Sequence, residues 1–156
     1  MAKFAYIKKK SYLCNHIMDL KEKSETTLFA ANQLLTSCKD TYATQSVHGL
    51  YYSVLQFMMY ILANAKTNQI SYEQQMTDGG DNSHKYLYEK ILLMLDFTPA
   101  DKRRFSEDFR ILKRARVEAD YSTGTFTMEQ ALDYGLLADR LRALLKRVSN
   151  DKIKNN

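Results

Sequence analysis

The sequence carries one arginine where helical geometry has no place for a solvated cation. Counting about 100° per residue along the stretch that ends near Ala119, Phe105, Phe109, Leu112 and Ala119 share a narrow apolar arc, and Arg116 falls inside it. Arg103, Arg110 and Arg114 lie on or toward the opposite side. A guanidinium turned inward must find acceptors, because a desolvated and unpaired one costs several kcal/mol. Asp120 stands four residues on, within side-chain reach along a helix. Two chemistries are open. Either the pair anchors the end of its helix, or Arg116 is held in a polar pocket ready for a phosphate or another anion.

Groups able to move protons are few. The histidines are His16, His48 and His84, too scattered to suggest a metal site, and His48 and His84 can approach each other only through the fold. A lone helical histidine is ordinarily structural. HExxH, CxxC, GxSxG and GxxxxGK[ST] are all missing, which removes zinc proteases, thioredoxin-like redox proteins, nucleophile-elbow hydrolases and P-loop nucleotidases. Cys14 and Cys38 lack a close pairing motif, so neither a disulfide framework nor a zinc site is indicated and a reducing compartment is expected. No cofactor and no metal is expected.

The elements that must position these residues read as helices. Ile17, Leu20, Leu28, Ala31, Leu34 and Leu35 recur at helical spacing up to about Cys38. The most apolar stretch runs from about Thr41 to Ala65, where Val47, Leu50, Tyr51, Val54, Met58, Ile61, Leu62 and Ala65 share a face that Tyr52, Leu55 and Met59 widen. That width predicts a central helix covered on two sides, or a subunit contact. The polar segment 66–82, with Gly79-Gly80 and no sustained period, reads as a long mobile connection that could act as a lid. Ser83 is expected to cap a third helix, Lys85 to Leu95. Thr98, Pro99 and Asp101 open a fourth that extends to about Ala119, followed by a loop from Asp120 to Phe126. Thr127 with Gln130 supplies a capping box for a fifth, reaching about Val148 with Leu137, Ala138, Leu141, Leu144 and Leu145 inward.

At 156 residues and 45% hydrophobic, the chain suits one compact domain, read as 17–148 between an N-terminal arm (1–16) and a fraying tail (149–156). Five glycines and one proline are too few for a sandwich of many short strands or for glycine-rich phosphate loops. The net charge of +5, with every arginine between Arg103 and Arg147, favours a polyanionic partner against the alternative of ordinary solvated helix faces. No segment reaches the roughly 18 apolar residues of a membrane span, and the lysines of the N-terminus follow its short apolar stretch, the wrong order for a signal peptide. A cytoplasmic protein with no membrane partner is expected.

Three segments together resemble a family: SVHGLYYSVLQFMMYIL, then SHKYLYEKIL after the polar connection, then FRILKRARVEADYSTGTFTMEQALDYGLLADRLRALL. In order and separation they resemble bacterial members of the HEPN superfamily (higher eukaryotes and prokaryotes nucleotide-binding), over roughly Leu20 to Val148. The matching features are the tyrosine pair Tyr51-Tyr52, His84 opening the next helix, and Arg116, Ala119, Asp120 and Tyr121 closing the fourth. The resemblance implies an all-α, up-and-down bundle of about five helices, commonly a homodimer, with the polar residues of the fourth helix near the subunit cleft. It further implies roles such as RNA-cleaving toxin paired with a nucleotidyltransferase-like antitoxin, phage-defence ribonuclease, or non-catalytic interaction module.

Catalytic members share an arginine and a histidine with four to six residues between them, and this chain departs from that pattern. The corresponding positions after Arg116 are Tyr121, Ser122 and Thr123; those after Arg114 are Ala119, Asp120 and Tyr121; and no histidine follows His84. Metal-independent RNA cleavage needs a base for the 2′-hydroxyl proton, an acid for the leaving oxygen and a cation for the phosphorane. Arg116 supplies only the cation, and Asp120 paired to it is a poor base. His84 or His48 would have to complete the set from another helix. The expected site is therefore Arg116, Asp120 and His84 for any catalysis, with Tyr121, Tyr51, Tyr52, His48 and Arg114 as further binding residues for RNA or a nucleotide phosphate.

Overall fold

The computed structural model describes residues 19–37 and 39–154. The expected arm (1–16), with Cys14 and His16, lies outside the described residues, as do Ile17 and Cys38. Within them the chain forms six α-helices: α1 (Leu20–Thr36), α2 (Asp40–Ala63), α3 (Tyr72–Gly79), α4 (Ser83–Met94), α5 (Pro99–Tyr121) and α6 (Met128–Ser149). Helices are what the periodicity predicts, and an all-α bundle is what the resemblance implies.

The central helix is α2. Its wide apolar face buries Val47, Leu50, Tyr51, Val54, Met58, Ile61 and Leu62 completely, and α1, α4, α5 and α6 pack around it. Each large side chain withdrawn from water contributes roughly 1.5–3 kcal/mol, so this one helix carries much of the core. Close approach to α1 depends on Gly49, where a Cβ would stand 3.0 Å from that of Ala31. The α5–α6 hairpin is antiparallel, as the ion pairs Arg147–Asp101 (2.8 Å) and Arg140–Asp108 (3.5 Å) require. Its ends follow the start signals: Thr98 accepts from Asp101 N ahead of Pro99, and Thr127 and Gln130 form a reciprocal capping box.

Three expectations change. The segment 66–82 is not one long connection: Ser71 and Gln74 form a capping box for α3, which Gly80, at φ +46°, ends before a single 3-10 turn (Gly80–Asn82). Apolar periodicity misses α3 because what it buries is polar. Gln75 is sealed inside, its amide donating to Met59 O (3.0 Å) and Ile70 O (2.8 Å), which ties the segment down. Ser83 does not cap α4; it is already helical, with Asn82 at the cap position making no side-chain cap bond. Residues 150–154, expected to fray, pair with the chain after α2, through Lys66 N to Lys152 O (2.8 Å) and Lys154 N to Asn64 O (2.9 Å). No helix among the described residues is long and apolar enough to cross a membrane.

Candidate functional site

Arg116 does turn inward, at the edge of the apolar stripe of α5. Ala115, one residue earlier, is buried with Phe105, Phe109 and Leu112, while the Arg116 side chain is 15% exposed and Ala119 half-buried. Its Nη2 donates to Tyr52 Oη at 2.7 Å. Its Nε stands 2.8 Å from Asp120 Oδ2, yet forms no aligned hydrogen bond, so the contact is an ion pair held by charge rather than by a straight N–H···O. The guanidinium carbon lies 5.3 Å from the centre of the Tyr52 ring and 5.8 Å from that of Tyr121. Both proposed chemistries of the Arg116–Asp120 pair therefore share one geometry, since the pair is closed and also sits within a larger polar cluster.

Two histidines belong to that cluster. The other Asp120 oxygen accepts from His48 Nδ1 at 2.8 Å, across 72 positions of chain. A carboxylate oxygen can only accept, so Nδ1 carries the proton in this contact and a neutral His48 keeps a lone pair on Nε2. The His48 side chain is 47% exposed. On the other flank, Tyr51 Oη lies 3.0 Å from His84 Nδ1. Tyr52 stands between the two imidazoles, its ring 4.5 Å from that of His48 and 5.9 Å from that of His84.

Burial pushes the Tyr51 phenol well above its ordinary range, with the Arg116 charge opposing and Tyr52 adding, so Tyr51 stays protonated. Burial also holds His84 below the ordinary imidazole value, and the positive charges of Arg116 and Lys113 act in the same direction. His84 is accordingly neutral at pH 7.

The cluster opens into a pocket of about 270 Å³ lined by Arg116, Lys113, Lys85 and His84, with Asp81 as its single acid. Ser83 and Asn82 also border it, where the 3-10 turn runs into α4 and Ser83 N donates to Gly80 O. Three permanent cations against one carboxylate give the pocket lining an excess of positive charge. Sequence reasoning missed Lys85 and Lys113, although each stands within one helical turn of a residue it had chosen, His84 and Arg116. No group of three or more His, Cys, Asp or Glu side chains among the described residues could hold a metal ion.

The expected residues thus divide. Arg116, Asp120, His48, His84, Tyr51 and Tyr52 are brought together from α2, α4 and α5. Tyr121 reaches the guanidinium from outside and is 77% exposed. Arg114 is exposed and is not brought to the cluster. Compared with known proteins, the chain matches no family model, no curated protein and no solved structure.

Proposed function

We propose that this protein is a HEPN-like helical module that binds RNA or a nucleotide phosphate at the Arg116 cluster, in a toxin–antitoxin or phage-defence setting. One observation carries the reading: the Arg116 guanidinium is clamped between Tyr52 and Asp120 at the wall of a pocket whose other cations are Lys85 and Lys113. Preorganised guanidinium and ammonium groups in a partly desolvated niche are what a phosphate needs. A cytoplasmic homodimer with a nucleotidyltransferase-like antitoxin as partner fits the same reading.

A second reading, metal-independent ribonuclease, is favoured by the two imidazoles flanking Arg116. His48, oriented by Asp120, would take the 2′-hydroxyl proton at Nε2. The freed oxygen would attack phosphorus, Arg116 would stabilise the phosphorane, and the 5′-oxygen would leave with a proton from His84, which is neutral in the free protein and would be charged only once an RNA phosphate lies beside it. The products would be a 2′,3′-cyclic phosphate and a 5′-hydroxyl.

Incubating purified protein with RNA in the presence of a chelator separates the two. Intact RNA bound with a steep salt dependence, lost in Arg116→Ala, supports the binding module. Cleavage abolished by Arg116→Ala and by His48→Ala makes it a nuclease. Neither binding nor cleavage overturns both and leaves a bundle that serves only to recruit a protein.

A further inference from the structure

We propose that the groove between α4 and α5 is a track for single-stranded RNA leading out of the Arg116 pocket, with bases laid against the half-buried Tyr88, which Phe109 backs from the core, and phosphates drawn by Arg103, Arg110, Lys113 and Lys85. This rests on the RNA reading above and extends it from an anion contact to a strand path.

The groove encloses about 470 Å³ and shares His84, Lys85 and Lys113 with the smaller pocket, so the two are continuous. Along α5 its cations stand at 103, 110 and 113, and the row winds from the solvent side of the helix at Arg103 and Arg110 through Lys113 toward the inward-turned Arg116. At about 1.5 Å per residue, the thirteen-residue span is roughly 20 Å long, enough for a few nucleotides of extended strand.

Charge pairing on α5 is lopsided. Its acids Asp101 and Asp108 are taken by Arg147 and Arg140 of α6. Toward α4, Arg103, Arg110 and Lys113 have no carboxylate within ion-pair distance among the described residues. Lys85 reaches Glu89 only at 3.8 Å, and Glu107 is the single acid lining the groove. Such a surface is short of anions.

Its aromatic side chains say which kind of polyanion fits. Tyr88 stacks on Phe109 (centres 5.4 Å apart, planes at 10°) and on Phe105 (6.0 Å, 7°), and its hydroxyl is fixed by donating to Ser106 at 2.8 Å. A rigid aromatic stack bordering an apolar, cation-rimmed groove suits bases freed from pairing. Duplex RNA keeps its bases stacked inside and would present only its backbone.

The test uses the purified full chain and fluorescence anisotropy with a labelled uridine homopolymer, and separately a duplex of equal length. The proposal expects the single strand to bind at least tenfold more tightly than the duplex. Arg103→Glu/Arg110→Glu, both exposed positions, should lose at least tenfold in affinity and flatten the salt dependence of binding, and Tyr88→Leu should lose several-fold. The control Lys102→Glu/Arg104→Glu carries the same change in net charge at exposed positions outside the groove and should bind as the parent does.

Equal loss in the control would reduce the effect to net charge and overturn the track, as would equal affinity for duplex. If Arg116→Ala abolishes binding while the groove variant binds normally, the track is wrong and the RNA reading stands. A groove variant that changes oligomeric mass but not affinity marks a self-contact and also overturns the track. Failure of the parent protein to bind any RNA overturns both.

Discussion

Two arginines in this bundle leave solvent, Arg116 on α5 and Arg142 on α6, and their surroundings differ in kind. Arg142 donates through Nη1 to Ser24 Oγ and to Ser53 O (2.9 Å), and its guanidinium carbon lies 5.0 Å from the centre of the Phe57 ring. No carboxylate stands within ion-pair distance of it among the described residues. Burial accordingly lowers its pKa, partly offset by the more distant Glu25 and Asp139. Its contacts join α1, α2 and α6, so it acts as a staple between helices. Arg116, by contrast, touches a phenol and a carboxylate whose other oxygen holds a histidine. An inward cation is therefore not a candidate site by itself; titratable neighbours and access to a cation-lined pocket make it a candidate. Size does not choose either. A larger cleft of about 790 Å³ borders Arg142, but no histidine lines it, and Asp19 and Glu25 face Lys21, Lys146 and Lys154 there.

That contrast breaks if the two arginines respond alike to removal. The largest effect expected is on stability: Arg142→Ala should lose about 2–3 kcal/mol in urea unfolding, since two hydrogen bonds from a charged donor disappear from a half-buried site. RNA affinity of the folded protein should not change. Arg116→Ala should show the reverse pattern, a stability change within about 1 kcal/mol and an affinity loss of about tenfold or more. Matching stability losses in the two variants would make Arg116 another staple.

Smaller substitutions sharpen the comparison. Tyr52→Phe keeps the ring beside Arg116 and removes only the hydroxyl it donates to, so a loss of about 1 kcal/mol is expected, read as a several-fold drop in RNA affinity by anisotropy. The smallest effect concerns pH. His84 is held below the ordinary value of 6.5 in the folded protein. The unfolded chain therefore binds the proton first as pH falls, and stability declines through the window below 6.5. His84→Asn should flatten that part of the profile, as measured by urea midpoints at stepped pH. A phosphate beside His84 would favour the imidazolium, so RNA binding should tighten on acidification, and His84→Asn should remove this too.

Much of this molecule is legible in the order of its residues. Helical periods, the Thr98-Pro99 start and the Thr127–Gln130 box are local signals, set by backbone donors within one turn of their partners. The inward direction of Arg116 is legible for the same reason, as is the reach of Asp120. The third helix is not, because its buried residue is Gln75, whose stabilising acceptors include Met59 O on another helix. Arg142 escapes notice because it stands beside a complete apolar stripe, and only the approach of Ser24 and Ser53 shows that it is desolvated.

What the sequence by itself determined was a run of helices with a strongly buried α2 and one arginine of α5 facing the wrong way. Only the tertiary structure decided that His48, 72 positions away, would share Asp120 with that arginine, that Tyr51 would meet His84, and that Lys85 and Lys113 would line the same pocket. The physical reason is range. Periodicity and capping act over three or four residues, whereas a cluster assembled from three helices depends on how their faces rotate against one another, and no local pattern encodes that rotation.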